Sequence, residues 1–205
     1  VPFGSAVAPD ERDAPAAAHA AWPGYERATV IDCLASPGPF NSVQPRTPLS
    51  EAMVRNAAQS GITGINLTVN GDDFASTVRS IGAWERELNL HGDVLMRVRS
   101  VADLAEAKRT KRLGLIYGFQ GVQPIGSDLS TVAMFAAYGV KIIQLTYNTR
   151  TLVGDGSLEP GNAGLSTFDR DLVAEMDRQR VYIHDQVAPP VKTPSEQSSV
   201  GSGAM

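Results

Sequence analysis

An alternation constrains this chain's fold more than any other feature. From Arg27 onward, short runs rich in Val, Ile and Leu recur at near-regular intervals, each followed by a stretch of helical periodicity. The runs fall at 28–34, 62–69, 93–98, 113–119, 140–147 and 181–187. They are bounded by turn formers and show little polar alternation, which suits parallel strands covered on both faces. Between the first two, Thr47 followed by Pro48 reads as an N-cap and first helical residue, with Gly61 as the stop. Asp72 and Asp73 precede Phe74, Val78, Ile81, Trp84 and Leu88, whose spacing of three and four gives one apolar face behind an acidic cap. Ser100 with Asp103 three residues on reads as a capping box, Asp standing for the usual Glu. Further helices are expected at 128–138, closed by Gly139, and at 167–180. Repeated β/α units imply an α/β fold: an incomplete TIM-like barrel of about five to six of the eight units, since a whole barrel takes roughly 250 residues.

The ends read differently. Residues 1–26 are Ala/Pro-rich with few large apolar side chains, and are expected to be a disordered lead-in. Two explanations stand: a segment left behind a cleaved signal peptide, which would place the protein in the periplasm or outside the cell, or the start of a fragment. Residues 27–187 carry the barrel pattern, and 188–205 have no periodicity and many breakers, as in a disordered tail. A net charge of −4 leaves no excess of basic charge, and phosphate binding needs a clustered Lys/Arg surface, so a nucleic-acid partner is not expected. No run of about 18 apolar residues is present, so no transmembrane segment is expected. The lone Cys33 rules out an internal disulfide framework and a multi-Cys zinc site; a small core residue is the expected role. His19, in the lead-in, and His91, in an Asn-Leu-His-Gly-Asp turn, are expected to be solvated. No nucleophile elbow, P-loop or dinucleotide fingerprint occurs.

Residues 141–176 read KIIQLTYNTRTLVGDGSLEPGNAGLSTFDRDLVAEM: a buried-strand pattern, a Gly/Asn-rich loop and a capped amphipathic helix. In order and wording this stretch resembles the renal (membrane) dipeptidase family of zinc-dependent barrel hydrolases. The resemblance implies hydrolysis of dipeptides, with zinc polarising the peptide carbonyl and activating water. It also implies where the metal ligands should fall. The family's first-strand His-x-Asp pair falls on Leu34 and Ser36, its zinc-bridging Glu on Gln120, and its sixth-strand His near Val187. Leu cannot ligate zinc, while Ser and Gln are poor neutral donors, and the anionic charge that two zinc ions need is missing. No family ligand is retained, so zinc is expected to bind weakly or not at all.

The wording GFQ at 118–120 followed by QLTYN at 144–148 resembles a bacterial branch that also lacks the pair and the bridging Glu. That branch keeps a DLSH stretch where this chain has Arg180-Val-Tyr-Ile-His184-Asp-Gln-Val187. His184 stands about three residues from the ligand register, and an odd shift along a strand turns a side chain to the opposite face, so it is not expected to be a ligand. The departure near Arg180 is expected to mark a truncated or replaced ending and an inactive chain.

Tyr147 falls where better-known members carry a substrate-contacting His. Together with Asn148, Asp155 and Glu159, in the loop after the fifth strand, it is a candidate substrate contact at the barrel mouth; Asn162 shares that loop. The competing readings are an ordinary aromatic at a strand end for Tyr147, and solvation of a Gly-rich loop for Asp155, Glu159 and Asn162. Two functions remain in play: a dipeptidase-like metallohydrolase acting on a dipeptide or similar small substrate, and a non-catalytic barrel binding a small ligand or partner. Open sheet edges would favour self-association, so a homo-oligomer is among the expected states.

Overall fold

A computed structural model describes Trp22 and residues 24–38, 46–161 and 163–184. In chain order the elements are β1 (Ile31–Asp32), α1 (Glu51–Gln59), β2 (Gly64–Thr68), α2 (Phe74–Leu90), β3 (Leu95–Arg97), α3 (Val101–Thr110), β4 (Leu113–Phe119), α4 (Ser130–Ala137), β5 (Val140–Gln144), α5 (Thr167–Arg178) and β6 (Tyr182–His184). All the strand pairs are parallel, and the sheet curls into a half-barrel.

The strand order departs from chain order at one place. The sheet runs β1-β2-β4-β5-β6, and β3 pairs only with β4. β2 takes one side of β4 over 114–118. On the other side, β3 pairs with 113–115 and β5 with 117–119, so β3 occupies the lower half of a gap that β5 fills above. The chain therefore steps backward from β3 to β4. A right-handed crossover made backward puts its helix on the opposite face of the sheet.

The packing agrees. Leu113, Leu115, Tyr117 and Phe119 are buried on the face that meets α2 and α4. Tyr117 donates its hydroxyl to Glu85 of α2 at 2.9 Å, and the Phe119 ring meets Phe135 of α4 edge-on at 5.0 Å. On the other face, α3 seats against Gly64 and Gly114, which are register partners. A Cβ on Gly64 would lie 2.8 Å from Leu104 Cδ2, and one on Gly114 2.6 Å from Val98 Cγ2 and 3.5 Å from Ala107 Cβ. Glycine is required at both places by this close approach. The face turned away from α2 and α4 is thus the concave inner face, and α3 closes its N-terminal end.

Four of the five helices among the described residues begin at a side-chain cap; α4, which follows Leu129, does not. Asp73 and Ser76 form a reciprocal capping box on α2, and Ser100 and Asp103 form one on α3. Backbone donation from Arg99, then the Ser100 hydroxyl and amide, holds the Asp103 carboxyl below its ordinary range. The first helix differs from expectation: Ser50, not Thr47, is the N-cap, its hydroxyl accepting from the Met53 amide. Gly61, at φ +69, does follow the end of α1 as anticipated.

Four further expectations are corrected. Cys33 is exposed, because β1 is a two-residue edge strand, not the run 28–34, and gives the thiol nothing to pack under. Phe74, the first residue of α2, is 40% exposed, although its ring lies 5.4 Å from that of Phe135. His91 is half-buried at the α2 C-cap, its Nε2 3.6 Å from the buried Glu87, which also accepts from the Leu49 amide at 3.2 Å. β6 covers three residues; 185–187 of the expected strand, like His19, lie outside the described residues. Among the described residues, no helix is long and apolar enough to cross a membrane.

Candidate functional site at the C-terminal mouth

In a β/α barrel the strand C-termini and the loops that follow them form the reactive end. Here that end is built from 33–38 after β1, 69–73 after β2, 120–129 after β4, 145–166 after β5 and the end of β6. Two contacts tie the rim. The Asn70 carboxamide oxygen accepts from the Gln120 amide at 2.8 Å, joining the loops after β2 and β4. Arg46 donates to the Thr68 carbonyl at 2.9 Å.

The loop after β5 is a self-braced unit. Ser157 donates its amide to the Tyr147 carbonyl at 2.7 Å, and Leu158 to that of Asn148 at 2.9 Å. Ser157 also donates its hydroxyl to Asn148 Oδ1 at 3.2 Å. Arg150 is the hub: its Nε donates to Asp155 Oδ1 at 2.5 Å, and its backbone amide donates to Glu159 Oε1 at 2.5 Å. Asp155 Oδ2 accepts from the Ala163 amide at 2.9 Å. That amide and the Arg150 guanidinium hold the Asp155 carboxyl below its ordinary range. A bridge between Gly154 and Leu165 closes the base of the loop.

The four expected substrate contacts therefore share one loop. Tyr147 presents its ring 47% exposed, whereas Asp155 and Glu159 are engaged within the loop by Arg150 and neighbouring amides. Asn162 lies outside the described residues.

The positions on which the resemblance placed the family's metal ligands follow strand ends, and their chemistry is not that of ligands. Leu34 and Ser36 follow β1, Gln120 follows β4, and Val187 lies outside the described residues. Leu34 has no lone pair, the Ser36 hydroxyl accepts from the Gly38 amide at 3.2 Å, and Gln120 is a neutral amide. Among the described residues no group of three or more His, Cys, Asp or Glu is placed to hold a metal ion. These residues do not fit a dinuclear zinc centre, for which anionic oxygen and imidazole nitrogen are the apt donors.

Sequence reasoning passed over two polar side chains on the inner face and set a third aside. Asn66 and Gln144 sit inside runs read as apolar strands, and both are buried. His184 was assigned to the wrong face. It is the Cα partner of Gln144, and paired residues in parallel strands project to the same side. Reading each strand at period two would have separated Asn66 and Gln144 from their apolar neighbours.

A curled parallel sheet with α2 and α4 on its outer face and loops gathered at its C-terminal rim defines a partial β/α barrel of amidohydrolase-like architecture. The profile of the membrane dipeptidase family (peptidase family M19) matches residues 47–185, and the chain belongs to that family. It is 30% identical over 111 residues to dipeptidase aclJ of Aspergillus oryzae, covering 52% of this chain and 26% of that protein. Among solved structures it is similar to an amidohydrolase from Pseudomonas aeruginosa, at 31% identity and TM-score 0.68, over 78% of this chain and 46% of that one. A metallopeptidase from Rhodobacter sphaeroides, solved with a phosphinate mimic of the dipeptide L-Ala-D-Ala, shares the fold at 14% identity and TM-score 0.60, over 76% of this chain and 57% of that one. The chain spans about a quarter of the length of the curated relatives it matches.

Proposed function

We propose that the protein acts as a dipeptidase-type hydrolase, taking a dipeptide or a molecule of similar size and polarity at the barrel mouth. The observation that carries this reading is the family match over 47–185, which contains every strand from β2 to β6. In this reading Tyr147 and Asn148 meet the substrate. Asp155 and Glu159 act through Arg150, fixing the loop that presents them. The second reading is a barrel that binds such a ligand without cleaving it. Leu34, Ser36 and Gln120 favour it, because they replace charged donors with apolar and neutral ones.

The deciding experiment is a dipeptide panel, with amino-acid release and binding measured with and without added zinc, on this chain and on the full-length gene product. Turnover supports the first reading. Saturable binding without turnover supports the second, and neither binding nor turnover removes both.

A further inference from the structure

Among the described residues, five buried side-chain polar atoms have no hydrogen-bond partner: Asn66 Oδ1, Arg97 Nε, Gln144 Oε1, Asp169 Oδ1 and His184 Nε2. Buried polar atoms are nearly always satisfied, so each exception calls for a physical reason. Three of these five share one surface. Asn66 is the register partner of Ile116, and Ile142 is that of Gly118, so all four lie on the inner face of the sheet. Gln144, two residues beyond Ile142, has the same parity, and His184 pairs with Gln144. Arg97 and Asp169 do not belong to this group. Arg97 lies over the Tyr117 ring and pairs with Glu85, and Asp169 is on α5.

The three atoms also agree in chemistry. Asn66 Oδ1 is an acceptor. Gln144 donates its Nε2 to the Thr146 carbonyl at 2.7 Å, which fixes the amide orientation and leaves Oε1 as the free acceptor. His184 Nε2 accepts when the ring proton is on Nδ1. They stand at two heights. The Asn66 carboxamide leans over Gly118, where a Cβ would come within 2.1 Å of its Oδ1. Gln144 and His184 lie two residues nearer the mouth, roughly 7 Å higher at about 3.3 Å per residue. Asn66 is 7% exposed and Gln144 1% exposed, so both are held by packing before any ligand arrives.

We propose that Asn66, Gln144 and His184 form a ligand subsite on the inner face that accepts hydrogen bonds from an N–H-bearing small molecule. Its acceptors at two levels suit a ligand with two separated donors, such as the ammonium and amide groups of a dipeptide. The ligand's identity rests on the dipeptidase reading; the existence of the subsite does not. No charge transfer or bond cleavage is involved. The subsite holds and orients the ligand below the rim formed by Gln120 and Tyr147.

The test pairs binding with stability. L-alanyl-L-alanine is titrated calorimetrically, and in parallel against the ¹⁵N side-chain amide resonances of Asn66 and Gln144. The wild-type protein is compared with Gln144→Met and His184→Phe. The expected result is movement of both amide signals and about tenfold weaker binding in each variant, with no lower melting temperature in free His184→Phe; Gln144→Met also loses the bond to the Thr146 carbonyl and is read by affinity alone. An acceptor left unpaired for a ligand contributes nothing to the free fold. Unchanged affinity in both variants, or a melting temperature lowered by several degrees in His184→Phe, overturns the proposal. If the wild type binds no dipeptide, ethylammonium is the second probe. Movement of the same two amide signals keeps the subsite and sinks the dipeptide reading, and silence with both probes sinks the subsite.

Discussion

The two faces of β2 and β4 are made by alternate residues of the same strands, yet they obey different rules. On the outer face Ile65, Leu67, Leu115, Tyr117 and Phe119 are buried against α2 and α4, and the one polar tip there, the Tyr117 hydroxyl, has its partner in Glu85. On the inner face stand Gly64, Asn66, Thr68, Gly114 and Gly118 beside a single large apolar residue, Ile116, with an acceptor left over. The outer face spends its residues on apolar burial, worth about 25 cal/mol per Å². The inner face gives up that gain and keeps acceptors without partners.

The largest effect expected from breaking this contrast is on the outer side. Leu115 is fully buried, so Leu115→Ala should cost about 2–5 kcal/mol in chemical unfolding. A loss under about 1 kcal/mol would mean that the outer face is not the main core. A smaller effect is expected inside. Gly118→Ala places a methyl 2.1 Å from Asn66 Oδ1 and displaces that carboxamide. The expected cost is about 1–3 kcal/mol, most of it recovered when Asn66→Ala is added. An unchanged penalty in the double variant would show that the clash is with the backbone.

The smallest effect tests an unpartnered oxygen away from the inner face. Asp169 is buried in the first turn of α5, and burial raises its carboxyl above the ordinary range, with Arg170 opposing weakly. A folded-state value raised above the unfolded one means that the group favours folding while protonated, below the unfolded value. That contribution is lost as pH rises through the folded value. Asp169→Asn should therefore stabilise the protein by about 1 kcal/mol at neutral pH, with the gain fading as pH falls through the carboxyl range. A pH-independent change in unfolding midpoint would show that ionisation of Asp169 is not the cause.

What could be read from sequence depended on how local the determining forces were. β4 lies where the apolar run 113–119 put it, and the Ser100–Asp103 cap forms as its spacing implied. Both are decided by residues close together in the chain. β1 shrank to Ile31–Asp32, paired on one side only by β2. The placement of β3 beside β4 was not legible, because it depends on which strand wins a gap between distant segments. The candidate loop holding Tyr147, Asn148, Asp155 and Glu159 was singled out by its wording. The bracing of Asp155 by Arg150 depends on a folded turn that composition does not encode. Asn66 and Gln144 were hidden by averaging over strands whose two faces differ.

The backward step from β3 to β4 also gives the half-barrel a floor. α3 rests where Gly64 and Gly114 leave room for it: a Cβ on Gly64 would lie 2.8 Å from Leu104 Cδ2, and one on Gly114 2.6 Å from Val98 Cγ2. Two missing side chains thus act as a keyhole for that helix, and any residue larger than glycine at either place would wedge it off the sheet.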